Sequence, residues 1–267
     1  MLRLTALGFC SIFALHSALA ADTLTPLRLP PTSIAVLDEA VANSREWLAN
    51  ADRAALVFIQ EIESADGDKT ERRVLQVDRR RPAAAQSELL SVDGQPPDKR
   101  ALKQFHKQQK KRAHRKADDD DGTVTISLAR FDTRDARLVG REGDLLVFAV
   151  PNGARSIMTG EKQARLAENL AMQVHVDPRH PAGPFLRTVE LVSTTPFKPG
   201  WIGKVDHFNT QWVFDLLEPG HLLVVHHIAT DVEARALFQD FIHHERITFK
   251  EYEIHPLPDS GVAGSGE

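Results

Sequence analysis

Two apolar stretches near the C-terminus decide the fold: residues 205–217, which read VDHFNTQWVFDLL, and residues 222–230, which read LLVVHHIAT. β-Branched and aromatic residues dominate both stretches, and such residues favour strands. The connection between them contains Glu218-Pro219-Gly220, in which Pro and Gly are turn formers. Two strands joined by so short a connection pair antiparallel. The sequence therefore predicts a long antiparallel hairpin here.

The same pattern of apolar strands separated by turn residues recurs along the chain. Further strands are predicted at 55–62, 70–77, 87–92, 136–141, 145–150, 171–176, 185–192 and 236–254. Consecutive hairpins predict an antiparallel meander rather than βαβ repeats. Stretches such as 145–150 are apolar on both faces, which a sheet needs only where both faces are covered. The predicted fold class is therefore α+β, with the meander curled into an open, incomplete barrel.

Two helices are predicted beside the strands. Apolar residues at helical spacing predict an amphipathic helix over 33–50. A second, charged helical insertion covers 98–121, and its stretch from Lys99 to Lys116 holds nine Lys or Arg and no acid. One interpretation is a solvated insertion that is dispensable for folding. The other is a docking arm for an anionic membrane surface or a protein partner.

The N-terminus has the layout of a secretory signal peptide. Arg3 supplies a basic start, residues 4–15 form a short apolar run, and Ala18-Leu19-Ala20 is a cleavage signal. We therefore expect residues 1–20 to be removed and the protein to be periplasmic. Cleavage would also remove Cys10, the only cysteine. The predicted organisation is a single domain over 21–255, followed by a disordered tail over 256–267 that is rich in Pro, Gly and Ser.

Composition excludes one large class of partner. The net charge of the whole chain is -4, and hydrophobic residues make up 42% of it. A weakly acidic chain of ordinary hydrophobicity is typical of a globular domain and argues against general nucleic-acid binding. No nucleic-acid partner is therefore predicted.

Aromatic residues on the strands suggest a cavity for an apolar ligand. Phe208, Trp212 and Phe214 fall on one face of their strand, as Leu146 and Phe148 do on theirs. Further on, Ile247 and Phe249 alternate, but Tyr252 falls on the other parity, which predicts a β-bulge near residues 250–251. The predicted ligand-binding residues are Leu146, Phe148, Phe208, Trp212, Phe214 and Phe249. The alternative is that these side chains are simply core.

Histidines and motifs give no comparable signal for chemistry. Adjacent histidines on a strand point to opposite faces, so neither His226-His227 nor His243-His244 can chelate one ion, although one member of each pair could meet across strands. The chain has no G-x-S-x-G, H-E-x-x-H or P-loop motif. We therefore predict no catalytic residue, no metal ligand and no cofactor.

Several stretches resemble those of an uncharacterised group of exported proteobacterial proteins. These are 89–97 (LLSVDGQPP) before a charged helix, Val189-Glu190-Leu191 leading to Pro196-Phe197, and 247–252 (ITFKEY) near the end. The order of the elements also resembles that of the periplasmic lipoprotein carrier LolA and its relatives. That resemblance implies a large open antiparallel barrel with helices at its mouth, and a hydrophobic ligand such as a lipid or acyl chain.

The leading functional hypothesis is a soluble periplasmic carrier that binds a lipid or acyl chain without catalysis. Transfer of the ligand into an apolar concavity would contribute about 0.8 kcal/mol per buried CH₂ group. The alternatives are a cell-envelope interaction or structural protein with a filled core and, third, a histidine-dependent metalloenzyme.

Export can be tested directly on the protein recovered from the periplasm. Because Ala18-Leu19-Ala20 provides the small residues that a signal peptidase requires, we expect intact-mass analysis to find Ala21 as the first residue. A chain that retains residues 1–20 would contradict this prediction.

Overall fold

Ten strands form one antiparallel sheet in the part of the chain that the structure, a computed structural model, describes. The described residues are 32–113, 127–158, 165–198, 203–218, 220–236 and 239–255. The strands are β1 Ala55–Asp66, β2 Lys69–Asp78, β3 Ser87–Val92, β4 Arg137–Glu142, β5 Leu145–Ala149, β6 Leu170–Asp177, β7 Phe185–Ser193, β8 Gly203–Leu217, β9 Leu222–Ala236 and β10 Gln239–His255. The helices are α1 Thr32–Arg53, α2 Lys99–Ala113 and α3 Gly153–Ile157. The fold is therefore α+β.

The strand order confirms the predicted meander and adds one long-range pairing. The order across the sheet is β3-β2-β1-β10-β9-β8-β7-β6-β5-β4. Every neighbouring pair is a sequential hairpin except β1 with β10, which runs from Ala55 opposite His255 to Asp66 opposite His243. That pairing joins the N-terminal hairpin to the C-terminal strands. The sheet is not closed, because β3 and β4 are its two edges.

A row of apolar residues crosses the sheet from strand to strand. The register places Phe148, Val174, Val189, Trp212, Ile228, Ile247 and Ile62 opposite one another in that order. Because side chains that are directly opposite in neighbouring strands share a face, the whole row lies on one face. A one-residue slip in any strand would turn its side chains to the other face.

Helix α1 covers one half of this face. Its buried residues recur at the spacing of one helix stripe: Leu37, Ala40, Val41, Ser44, Trp47 and Ala51. The helix contacts β6, β7 and β9, and the Asn43 Nδ2 donates to the Pro184 carbonyl at 2.9 Å. The backbone N–H of Leu186 donates to the Ser44 Oγ at 2.9 Å, in the buried interior. The N-terminal helix is thus bound to the sheet by apolar packing and by polar contacts.

Helix α2 lies at the opposite edge of the sheet. Its N-cap is Asp98, whose Oδ1 accepts from the Ala101 backbone N–H at 2.7 Å. The Gln109 Nε2 donates to the Ser87 carbonyl at 2.6 Å, which ties the helix to β3. The predicted charged helix is therefore present over Lys99–Ala113 and contacts the sheet. Whether it is dispensable for folding stays a prediction.

Three predicted segments lie outside the described residues. They are the signal peptide at 1–20, the end of the charged insertion at 114–121 and the tail at 256–267. Among the helices of the described chain, none combines the length and the apolar character needed to cross a membrane.

The contact between α1 and β7 predicts the effect of one substitution. Ser44→Ala removes the acceptor of the buried Leu186 N–H, and an unpaired buried donor costs about 1–3 kcal/mol. We expect urea denaturation to show a fall of that size in the free energy of unfolding. Glu46→Ala, at an exposed position of the same helix, should change it by less than about 0.5 kcal/mol. Equal effects of the two substitutions would contradict the packing of α1 described above.

Candidate functional site

Five of the six predicted ligand-binding residues lie together in the main core. Leu146, Phe148, Phe208, Trp212 and Phe214 are between 0 and 7% exposed and belong to one cluster of buried apolar residues. That cluster also contains Leu37, Val41 and Trp47 of α1. Their predicted common face is therefore real, but it is buried in a core that the protein's own side chains form, including those of α1. Sequence periodicity identifies an apolar face and does not reveal what covers it.

Phe249, the sixth predicted residue, belongs to a separate cluster. It packs beside Phe58, with ring centroids 5.9 Å apart, and Tyr252 lies 5.2 Å from Phe58 by the same measure. The predicted bulge is confirmed: the register of β10 on β1 shifts between Val57 and Ile59, and Glu251 has a φ of 56°. The bulge is what lets both Phe249 and Tyr252 reach Phe58.

Tyr252 also joins β10 to β9 beyond the end of their pairing. The last register pair of these strands is His227 with Thr248, and the Tyr252 hydroxyl donates to the Val225 carbonyl at 2.5 Å. Burial raises the pKa of the Tyr252 phenol, so the hydroxyl keeps its proton and stays a donor. This second cluster therefore serves to hold the two halves of the sheet together.

The apolar row is less covered on β9, β10 and β1 than on β5 to β8. Val174 and Val189 are buried, whereas Ile228, Ile247 and Ile62 are half-buried. At its C-terminal end α1 reaches β1 and β2, because Ala51 shares a buried cluster with Phe58 and Val77. Helix α2 lies at β3, and its Phe105 lines a small cavity together with Arg73 of β2. Ile62 and Ile247 belong to neither apolar cluster. A strip of isoleucine side chains is thus partly accessible between the two helices. The strip has no local sequence signal of its own, because Ile62 and Ile247 become neighbours only through the long-range pairing of β1 with β10.

The C-terminal histidines pair with carboxylates rather than with one another. The His243 Nδ1 lies 2.5 Å from Asp66 on β1, and the His244 Nδ1 lies 2.6 Å from Asp231 on β9. His226 and His227 lie about four residues from His244 along the strand direction. The register shows this, because His227 is opposite Thr248 whereas His244 is opposite Asp231. Four residues of strand span about 13 Å, which is too far for shared metal ligation. Among the described residues, no group of three or more His, Cys, Asp or Glu could hold a metal ion.

Asp231 is the centre of the most connected of these ion pairs. It lies 3.0 Å from Arg246 and 2.6 Å from His244, and its side chain is about three-quarters covered. Burial raises the pKa of the Asp231 carboxyl, but hydrogen bonds from Arg246 and His244 outweigh it, so the net pKa is lowered. Nearby, burial lowers the pKa of His227, and the charge of Arg246 adds to that effect. The geometry is that of cross-strand ion pairs on β9 and β10.

Two open pockets lie elsewhere on the described surface, and neither is lined by any predicted ligand-binding residue. One, of about 60 Å³, lies between α2 and the sheet, where Phe105 faces Leu89 and Val92. The other, a cleft of about 370 Å³, is lined almost entirely by polar residues that include Asp132, Arg155 and Ser156. The first is too small for an acyl chain, and the second is too polar for one.

Helix α2 carries the strongest local charge of the described chain. It contains seven Lys or Arg and no Asp or Glu, so its charge of +7 leaves -11 for the remainder of a chain whose net charge is -4. Lys99, Lys103, Lys107 and Lys110 are all exposed. None of these four has an ion-pair partner among the described residues.

Comparison with known proteins gives no relative to draw on: no protein-family model, no curated protein and no solved structure matches this chain. Its function therefore has to be argued from the surfaces described above, because a fold alone does not determine a function.

The role of Asp231 predicts a pH-dependent effect on stability. Its pKa is lowered in the folded state, so its contribution is present above the ordinary carboxyl pKa of about 3.9 and is lost as the pH falls through the folded value. Asp231→Asn should lower the free energy of unfolding by about 0.5–1 kcal/mol at neutral pH. The difference between the two proteins should shrink towards pH 3. Both can be measured by urea denaturation across that pH range.

The matched control is Asp240→Asn. Asp240 lies on β10, is more exposed than Asp231, and pairs with Arg235 on β9. Its effect should be smaller at every pH. A stability loss that is independent of pH for Asp231→Asn would contradict an ion-pair role.

Proposed function

We propose that this chain is an interaction protein of the cell envelope that binds through its outer surface, on a rigid scaffold whose core is filled by its own side chains. One observation carries the proposal: the five residues expected to line a cavity are at most 7% exposed and belong to the same buried cluster as Leu37, Val41 and Trp47 of α1. A residue such as Phe148, with no exposed surface, has no side that a ligand could contact. The location in the periplasm is part of the proposal and rests on the sequence of residues 1–20.

The surface of the described chain supports the same proposal. Charge is separated strongly between α2 and the remainder, and such separation orients a protein towards a partner of opposite charge. The ion pairs on β9 and β10 link neighbouring strands, as Asp231 does with Arg246 and His244. A sheet fastened in this way is suited to present a surface and to keep its shape.

A carrier function is the second candidate, and one specific observation favours it. Ile62, Ile228 and Ile247 form a half-buried apolar strip that neither α1 nor α2 covers fully. An acyl chain could lie along this strip rather than in an interior cavity. The open ten-stranded meander is consistent with the proposed likeness to LolA-type carriers, which itself remains a proposal.

Truncation of Trp212 separates a packed core from a ligand-lined cavity. If Trp212 is core, Trp212→Ala should lower the free energy of unfolding by about 3–5 kcal/mol, because it leaves a cavity that nothing fills. A fluorescent fatty-acyl probe should also leave the melting temperature of the wild-type protein unchanged. Lys107→Ala, at an exposed position of α2, is the control and should alter neither quantity.

The carrier alternative makes the opposite prediction. A ligand that binds only the folded state at 100 times its Kd stabilises the protein by about 2.7 kcal/mol. A clear rise in melting temperature with the probe would therefore overturn the filled-core proposal. If Ile247→Glu abolished that rise, the ligand site would be the isoleucine strip.

A further inference from the structure

Four exposed lysines of α2 form a single stripe along the helix. Lys99, Lys103, Lys107 and Lys110 are spaced by four, four and three residues, which is the spacing of neighbours on one helix face. The stripe extends over about 16 Å at 1.5 Å per residue. The residues that face the sheet and line the small cavity there, Ala101 and Phe105, lie on the other side of the helix. The cation stripe therefore faces outwards.

Helix stability does not explain this arrangement. Like charges four residues apart destabilise a helix. Lys99 and Arg100 lie in the first turn, where the helix dipole disfavours cations. None of the four lysines forms an ion pair with a described residue, and α2 has no acid of its own. The charge is thus maintained at a cost to the fold, which indicates that something outside the fold uses it.

We infer that the Lys99–Lys103–Lys107–Lys110 stripe is a docking surface for an anionic phospholipid surface. This inference rests on the proposed function, because it assigns the outer surface of α2 to a partner. A stripe of lysines binds a layer of mobile anionic head groups by charge alone. Each Lys or Arg near the surface increases partitioning onto the membrane roughly five-fold. The helix adsorbs without inserting, because its apolar residues Leu102 and Phe105 are half-buried rather than exposed.

A lipid surface fits the stripe better than an acidic protein does. Specific protein interfaces depend on buried aromatic or apolar anchors surrounded by a polar rim. The outward face of α2 has lysines and no exposed aromatic residue: Phe105, the only one of the helix, is half-buried. Nucleic acid fits less well, since the remainder of the chain carries a charge of -11 and would repel it. The same negative remainder would orient the molecule with α2 towards an anionic membrane.

The test is vesicle binding by the purified full-length protein, measured by flotation. The probes are vesicles of phosphatidylcholine alone and vesicles that also contain phosphatidylglycerol. We expect binding only to the anionic vesicles. It should be lost when the ionic strength rises from about 0.1 M to about 1 M, because the screening length falls from about 10 Å to about 3 Å.

A variant in which Lys99, Lys103, Lys107 and Lys110 are all replaced by glutamine should lose at least about a hundred-fold in partitioning. Glutamine is a good helix former, so circular dichroism should show that α2 is retained. The matched control replaces Arg130, Arg137, Arg141 and Lys198 by glutamine. These four exposed cations lie outside α2 and have no ion pair among the described residues, so the control makes the same change in net charge and should lose far less binding.

Three results would overturn the inference: no binding of the wild-type protein to anionic vesicles at low salt, equal binding to the neutral vesicles, or full binding by the α2 variant. Retention of the wild-type protein on immobilised poly-glutamate but not on vesicles would assign the stripe to an acidic protein instead. The fatty-acyl probe is absent from this experiment. If the protein does not bind vesicles, the proposal of a filled core is unaffected. If the fatty-acyl probe binds, the inference that α2 docks on anionic lipid is unaffected.

Discussion

The strand register that aligns Phe148, Val174, Val189, Trp212 and Ile228 across five neighbouring strands is the constraint on which the rest of the structure depends. It collects the apolar side chains on one face of the sheet, and that face must be covered. Because side chains alternate between faces, no strand can slip by one residue without exposing its share of the row. The position of α1 follows, since only an amphipathic helix with a stripe such as that of Leu37 and Trp47 can cover this face.

The cover is uneven, and the unevenness divides the sheet into two halves. On the half under α1, the core is continuous and has no room for a guest. On the half formed by β1, β2 and β10, the row continues as half-buried isoleucines, and α2 presents its lysines at the outer edge. The second aromatic cluster, around Phe58 and Tyr252, holds these halves together where β9 and β10 separate. A well-covered half is thus joined to a half whose apolar row is only partly covered.

Local pattern was enough to predict most of the fold. The hairpins, the α1 stripe and the bulge beside Glu251 all follow from alternation, parity and turn residues. The pairing of β1 with β10 could not be predicted this way, because it joins residues nearly two hundred positions apart and has no local signal. The role of the apolar face was harder still to predict from the sequence. The alternation that identifies the face of Trp212 is the same whether the protein's own side chains or a ligand cover it. The histidines were ambiguous for a similar reason: their carboxylate partners, such as Asp66, are distant in sequence.

The central claim, that α1 packs on the apolar face of the sheet as part of the core, is tested most directly by native-state hydrogen exchange. If the claim is right, the backbone amides of α1 between Leu37 and Ala51 should exchange with the same opening free energy as those of β6 and β7, because helix and sheet unfold as one unit. If the α1 amides exchange orders of magnitude faster while β6 and β7 remain protected, the helix detaches on its own. That result would contradict the filled core and would open the apolar face to a ligand.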